Sequence, residues 1–178
     1  MRRFQTALRH VLAICLSLSP LAASADVPGE GRFLSRYLCP VGQTLNTIRA
    51  APWKSKEEQN RFLILYPKGR QSAYAQCAFF DFGLSVHCEV ASPFYAAKGY
   101  PVPPARLPAL ARLGYDTDGS KGNYVREFKL DDEKSPRLAE FMLRSLYEAF
   151  LDDPGVILKF HAPLAKAPPP RQACTPTS

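Results

Sequence analysis

Residues 72–92 read SAYAQCAFFDFGLSVHCEVAS, and this stretch decides the fold. On both sides of Asp81-Phe82-Gly83, small or apolar residues alternate with polar ones, the period of a strand that buries one face. Ser72–Asp81 and Leu84–Ser92 therefore predict two antiparallel strands joined by a tight turn around Phe82-Gly83. If the turn falls between 82 and 83, Cys77 faces Cys88, Ala75 faces Val90 and Phe79 faces Val86, all on one apolar face. Gln76 then faces Glu89 on the other side. A slip of one residue destroys that sorting. Facing residues in such a pair lie roughly 4.5–5.5 Å apart at Cα, within the reach of a disulfide.

Working outward, Pro67-Lys68-Gly69-Arg70 is a turn signal that joins a preceding strand, Phe62–Tyr66, to Ser72–Asp81 and completes a three-stranded meander. Further upstream, Ser55-Lys56-Glu57-Glu58 has the spacing of a capping box and predicts at most two helical turns. Phe33, Leu34, Tyr37, Leu38, Leu45 and Ile48 carry helical spacing after a short leading segment, Asp26–Gly31. That helix is expected to be interrupted by Pro40 and stopped by Pro52. Downstream, a proline-rich crossing, Pro93 to Pro108, leads to a short helix, Pro108–Leu113, with Gly114 as its stop. Asn123–Leu130 alternates as a strand. Pro136–Asp152 is the clearest helix, with Ser135 as its cap. Leu138, Phe141, Met142, Leu146, Ala149 and Phe150 form its apolar stripe, and Glu140, Arg144 and Glu148 its solvated face. Val156–His161 predicts a last strand before a proline-rich tail. The order of elements implies an α+β fold: a single two-layer domain whose mostly antiparallel sheet, the meander plus later strands, carries helices on one face.

The composition is that of a globular chain, 46% hydrophobic and 22% charged over 178 residues, which excludes a collagen, a coiled coil and a fully disordered chain. Arg2, Arg3 and Arg9 precede an apolar run from Val11 to Leu21, and Ala23-Ser24-Ala25 supplies the small residues a signal peptidase reads. Residues 1–25 are therefore read as a signal peptide cleaved before Asp26. The run is shorter than the roughly 20 residues a membrane span needs. A lipoprotein cleavage at Cys15 fails because bulky Ile14 precedes it and most of the apolar run follows it. The leader takes away three arginines and no acids, lowering the formal charge from +7 to +4, which gives no argument for nucleic acid. The expectation is a domain at 26–162 and a tail at 163–178, exported to the periplasm or secreted, with no membrane attachment after cleavage.

Cys39, Cys77, Cys88 and Cys174 remain, an even number that admits three pairings in an oxidising compartment. The hairpin register favours Cys77–Cys88 and leaves Cys39–Cys174, which would pin the tail to the start of the domain. No Cys-x-x-Cys spacing points to metal or thiol redox chemistry. Nor is there a Gly-x-Ser-x-Gly elbow, phosphate loop, dinucleotide fingerprint or His-Glu-x-x-His motif. No cofactor is implied. His87 and His161 are the two histidines after the leader, and either could serve a small hydrolase with a carboxylate. Asp116, Asp118, Ser120 and Glu127 fall at the first, third, fifth and twelfth places of a calcium loop, but the sixth place holds Lys121 where glycine is required. The loop is read as a polar connection, not a metal site. Two sets of aromatics are candidates for a partner-binding sheet face: Tyr74 and Phe80, which share a face with Gln76, and Tyr124 and Phe128, which share one with Arg126.

Leu110-Ala111-Arg112-Leu113-Gly114-Tyr115, then Gly122-Asn123-Tyr124, then an acidic turn and an amphipathic helix, resemble the second half of secretion-chaperone-like domains. These include the type III secretion chaperones and the YbjN-like family, and the resemblance covers about Pro108–Phe160. It implies a sheet-and-helix module that binds other proteins and often dimerises, with no catalytic residues to carry over. With no catalytic motif in the chain, the expected function is an exported, non-enzymatic, disulfide-stabilised protein-binding module. An adaptor, a chaperone-like factor or an inhibitor all fit that description. Homodimerisation is left open, and the alternative is the small periplasmic hydrolase using His87 or His161.

Overall fold

The computed structural model describes residues 29–55, 58–94, 100–130 and 135–165, with backbone only for 135 and 136. The elements in chain order are α1 (Glu30–Ala50), β1 (Phe62–Pro67), β2 (Ala75–Phe80), β3 (Ser85–Val90), α2 (Leu107–Arg112), β4 (Tyr124–Lys129), α3 (Ser135–Phe150) and β5 (Leu158–His161). The five strands form one antiparallel sheet in the order β4-β3-β2-β1-β5. The class is α+β, with an open sheet.

The β2–β3 register is the one the alternation dictates: Cys77 opposite Cys88, Ala75 opposite Val90, Phe79 opposite Val86, Gln76 opposite Glu89. Cys77 and Cys88 form a disulfide, with Cα atoms 4.1 Å apart. Both lie on the buried face, where Leu63, Leu65, Ala75, Phe79, Val86 and Val90 meet the apolar sides of α1 and α3. On the other face, Phe62, Ile64, Tyr66, Gln76 and Ala78 are half-buried, and no described helix covers them.

α1 departs from expectation. It begins at Glu30 and runs unbroken through Pro40 for 21 residues. An interior proline costs a helix roughly 3 kcal/mol, because it removes one N–H and crowds the preceding turn. Phe33, Val41, Leu45 and Ile48 lie on both sides of Pro40 and are fully buried, each worth about 1.5–3 kcal/mol of transfer, so packing outweighs the break. The helix ends without a capping glycine. Arg61, 1% exposed, sends its guanidinium under the C-terminus and donates to the carbonyls of Ile48 (2.8 Å), Ala51 (2.9 Å) and Pro52. Trp53 lies over the guanidinium at 3.8 Å.

Glu58 does not close a capping box at its own turn. Its carboxylate accepts from the Lys54 amide (3.3 Å) and from Arg61 Nε (3.0 Å), while residues 56–57 lie outside the described residues. The Lys54 amide, with help from Arg61, holds the Glu58 carboxyl below its ordinary range against the opposing effect of burial. The short helix stops at Gly114 as expected, at φ +84° with Arg126 guanidinium atoms 3.2 Å from where a side chain would begin.

α3 carries its stripe inward, with Leu138, Met142, Leu143, Leu146 and Tyr147 buried. Its expected solvated face is more structured than an exposed row of charges. Arg144 joins Glu140 (2.9 Å) to Glu30, a carboxylate only 2% exposed at the start of α1 (3.0 Å). Ser135, expected as the cap, is the first residue of the helix, and its side chain is outside the described residues. Cys39 lies on α1, whereas Cys174, its expected partner, is also outside them. Among the described residues, no helix is long and apolar enough to cross a membrane.

Candidate functional site

The hairpin that fixes the sheet also carries its most unusual surface. The β2–β3 turn places three consecutive residues in the left-handed region: Asp81 (φ 50°), Phe82 (φ 55°) and Gly83 (φ 82°). Glycine adopts this conformation freely and aspartate tolerates it, but for a phenylalanine it costs roughly 1–2 kcal/mol. The turn is held from below by α1 and the segment after it. Arg49 Nε donates to the Gly83 carbonyl (3.2 Å), and the Trp53 ring meets Phe82 edge-on at 5.9 Å. A Cβ on Gly83 would come within 3.0 Å of the Arg49 side chain, so a substitution would crowd the brace as well as strain φ. Around this turn Phe82 is 55% exposed, Leu84 52% and Phe80 39%, an apolar knob at one end of the sheet.

Beside the knob lies a cleft of about 510 Å³ lined by Phe80, Ser85, His87, Glu127, Phe128 and Lys129. His87 Nδ1 is 2.9 Å from Glu127 Oε1, its Nε2 is 3.9 Å from Glu89 Oε2, and Phe80 meets the ring edge-on at 6.3 Å. A histidine oriented by a carboxylate is one half of a hydrolytic site. The other half is not assembled. Nε2 faces Glu89, two residues along the strand in one direction, while Ser85 lies two residues away in the other. Among the described residues, no hydrogen bond joins Ser85 to His87. His161, on β5, is three strands away at about 14 Å, the spacing of neighbouring strands taken three times, and rests against Phe62 at 5.6 Å. The two histidines share a sheet face and do not meet.

The acidic loop is likewise occupied with its own structure. Asp116 accepts from the Asp118 amide (3.3 Å) and pairs with Lys121 (3.5 Å). Asp118 accepts from the Ser120 amide (2.7 Å), which holds its carboxyl below the ordinary range. Glu127, the twelfth place, turns to His87 instead. Among the described residues, no group of three histidine, cysteine or acidic side chains is placed to hold a metal ion.

The five aromatic and arginine candidates do not form one surface, and Phe128 borders both faces at the sheet edge. Phe80 and Phe128 both line the cleft. Tyr74 lies on the open face, but its hydroxyl donates to Glu89 (3.2 Å) and accepts from Asn123 (2.8 Å). Tyr124, Arg126 and Phe128 stand opposite Val90, Cys88 and Val86, on the helix side of the sheet. Tyr124 is buried, and burial raises its hydroxyl above the ordinary range. Arg126 donates to the Leu113 carbonyl and lies over the rings of Phe128 (5.3 Å) and Phe141 (4.9 Å).

Sequence reasoning missed Phe82 and Leu84. The signal was present: a tight hairpin turn ordinarily spends its tip on glycine, asparagine or aspartate, and a phenylalanine there needs a reason. In comparison with known proteins, no family model matches the chain, and neither does any curated protein or solved structure.

Proposed function

We propose that this chain is an exported, non-enzymatic protein-binding module that receives another protein on the Phe80–Phe82–Leu84 knob and the cleft beside it. The observation that carries the reading is the knob itself. A strained turn, braced by Arg49 and Trp53, holds Phe82 more than half exposed between Phe80 and Leu84, both exposed as well, where a glycine would have taken the same conformation freely. The signal-like residues 1–25 and the Cys77–Cys88 disulfide support an oxidising compartment. The resemblance to secretion-chaperone-like domains points the same way, toward an adaptor, a chaperone-like factor or an inhibitor.

The test is quantitative capture from the native host with the full chain at native level, against the double variant Phe82→Ser/Leu84→Ser. Both positions are already about half exposed, so circular dichroism and the melting temperature should hold. A stoichiometric partner should be captured by the wild type and lost at least about ten-fold in the variant. Equal capture by a folded variant, or no stoichiometric partner for the wild type, overturns the reading. A second reading, a small hydrolase, rests on the His87–Glu127 pair in the cleft. It requires that His87→Ala and Glu127→Gln each remove a measured activity.

A further inference from the structure

The edge of the sheet next to the cleft is half closed and half open. The Leu130 amide donates inward to Leu84, whereas Val125 exchanges both of its backbone bonds outward with Asp116. Backbone direction alternates along a strand, so the N–H and C=O groups of Glu127 and Lys129 point out of the sheet as well. Among the described residues, Asp116 is the one that bridges to this edge, and it stops at Val125. The open part of β4 has a cleft on each face. On the open face is the 510 Å³ cleft with Phe80 and His87. On the helix face a smaller one, about 230 Å³, is lined by Arg126, Lys129 and Arg137 around Phe128 and Phe141, with no carboxylate among its described lining residues.

We infer that β4 takes an extended segment of the partner protein as a sixth strand, pairing with the backbone of Glu127 and Lys129. Side chains of an added strand alternate between the two faces. Those on the open face enter beside Phe80 and His87 and are apolar, because Glu127 and Lys129, of opposite charge, already share that face and favour neither sign. Those on the helix face meet the guanidinium groups of Arg126 and Arg137 and are acidic. Charges at an edge ordinarily refuse stray strands. Glu127 and Lys129 do so here for every segment except one with the matching pattern. This inference rests on the protein-binding reading and names the form of the partner.

The test uses the purified full chain and a fluorescein-labelled peptide, Thr-Val-Asp-Val-Glu-Val-Thr, with a counterpart carrying lysine at both acidic places. Fluorescence anisotropy should show saturable binding of the acidic peptide below about 1 mM, at least about ten-fold tighter than the lysine peptide. Lys129→Pro removes a donor that points out of the sheet, leaves the β3 ladder intact, and should weaken binding at least about ten-fold. Arg137→Glu should bring the ratio between the two peptides close to one without unfolding the chain. Hydrogen exchange at the Glu127 and Lys129 amides should slow in the acidic complex. Equal affinity for both peptides, no binding at about 1 mM, or indifference to Lys129→Pro in a folded variant overturns the strand-addition inference. So does self-association that Lys129→Pro abolishes, which would make a second copy the occupant. If knob-dependent capture of a native partner survives while the peptide fails, strand addition alone falls. If the wild type captures no partner, the protein-binding reading falls.

Discussion

Replacing Arg61 by methionine keeps most of the side chain's volume and removes its guanidinium. The group donates to the carbonyls of Ile48, Ala51 and Pro52 and to the Glu58 carboxylate, and lies against Trp53. A buried acceptor that loses its partner costs about 1–3 kcal/mol. The Ile48 bond is fully buried, but the other three are partly reached by water and count toward the low end. Loss of the ring contact adds about 0.5–1 kcal/mol, and the methionine methylenes recover some apolar packing. The expected loss is about 3–5 kcal/mol, a large share of the 5–15 kcal/mol that holds a domain together. At about 2–4 °C per kcal/mol for a domain of this size, the melting temperature should fall by about 6–20 °C. Urea titration read by far-ultraviolet circular dichroism gives the free energy. The emission of Trp53, the sole tryptophan of the chain, gives the local change at the end of α1. Arg61→Lys should lose less than the methionine variant, since an ammonium keeps three donors but not the planar fork. A loss below about 1 kcal/mol in Arg61→Met would refute the reasoning, because it would mean that water caps this helix as well as the guanidinium does.

Two further outcomes follow from the core. Cys77→Ala/Cys88→Ala opens a short loop and should cost about 3 kcal/mol in the chain-entropy model, while the β2–β3 register, read from amide cross-peaks, stays as it is. Burial holds the Tyr115 hydroxyl, which donates to Ser145 at 3.0 Å, far above its ordinary range near pH 10. The uncharged form is the one the fold favours, so the stability it lends is complete below about pH 10 and is lost as pH rises from there toward the raised folded value. Tyr115→Phe should therefore lose about 1 kcal/mol at neutral pH and show a shallower alkaline decline in chemical denaturation. It should not show a flat one, because Tyr124 and Tyr147 are raised by burial too.

The hairpin was legible in the sequence because two strands with opposite face compositions admit one register, and that register put Cys77 against Cys88. The continuity of α1 was not, because local rules count the bond that Pro40 removes but not the tertiary packing of Phe33, Val41 and Leu45 on either side. Nor does alternation say which face of an edge strand a helix covers. Tyr124, Arg126 and Phe128 were correctly grouped, yet their direction depends on where α3 comes to rest after β4. The knob was hidden by the same economy of rules. A turn signal was read at Phe82-Gly83, and the size of the phenylalanine carried no weight in it.

The left-handed turn also bears on the order in which the chain folds. An unfolded chain of L-residues seldom visits that region, and two adjacent non-glycine residues visit it together far more rarely, so the β2–β3 hairpin has no local nucleus at its tip. Its closure waits on Arg49, 34 positions earlier, and on Trp53, which brace the turn only once the end of α1 has reached it. A helix that docks first and a hairpin that closes against it make the rate of folding depend on a distant encounter. The register that sets Cys77 against Cys88 is then fixed late, and oxidation of this pair is expected to follow the docking of α1.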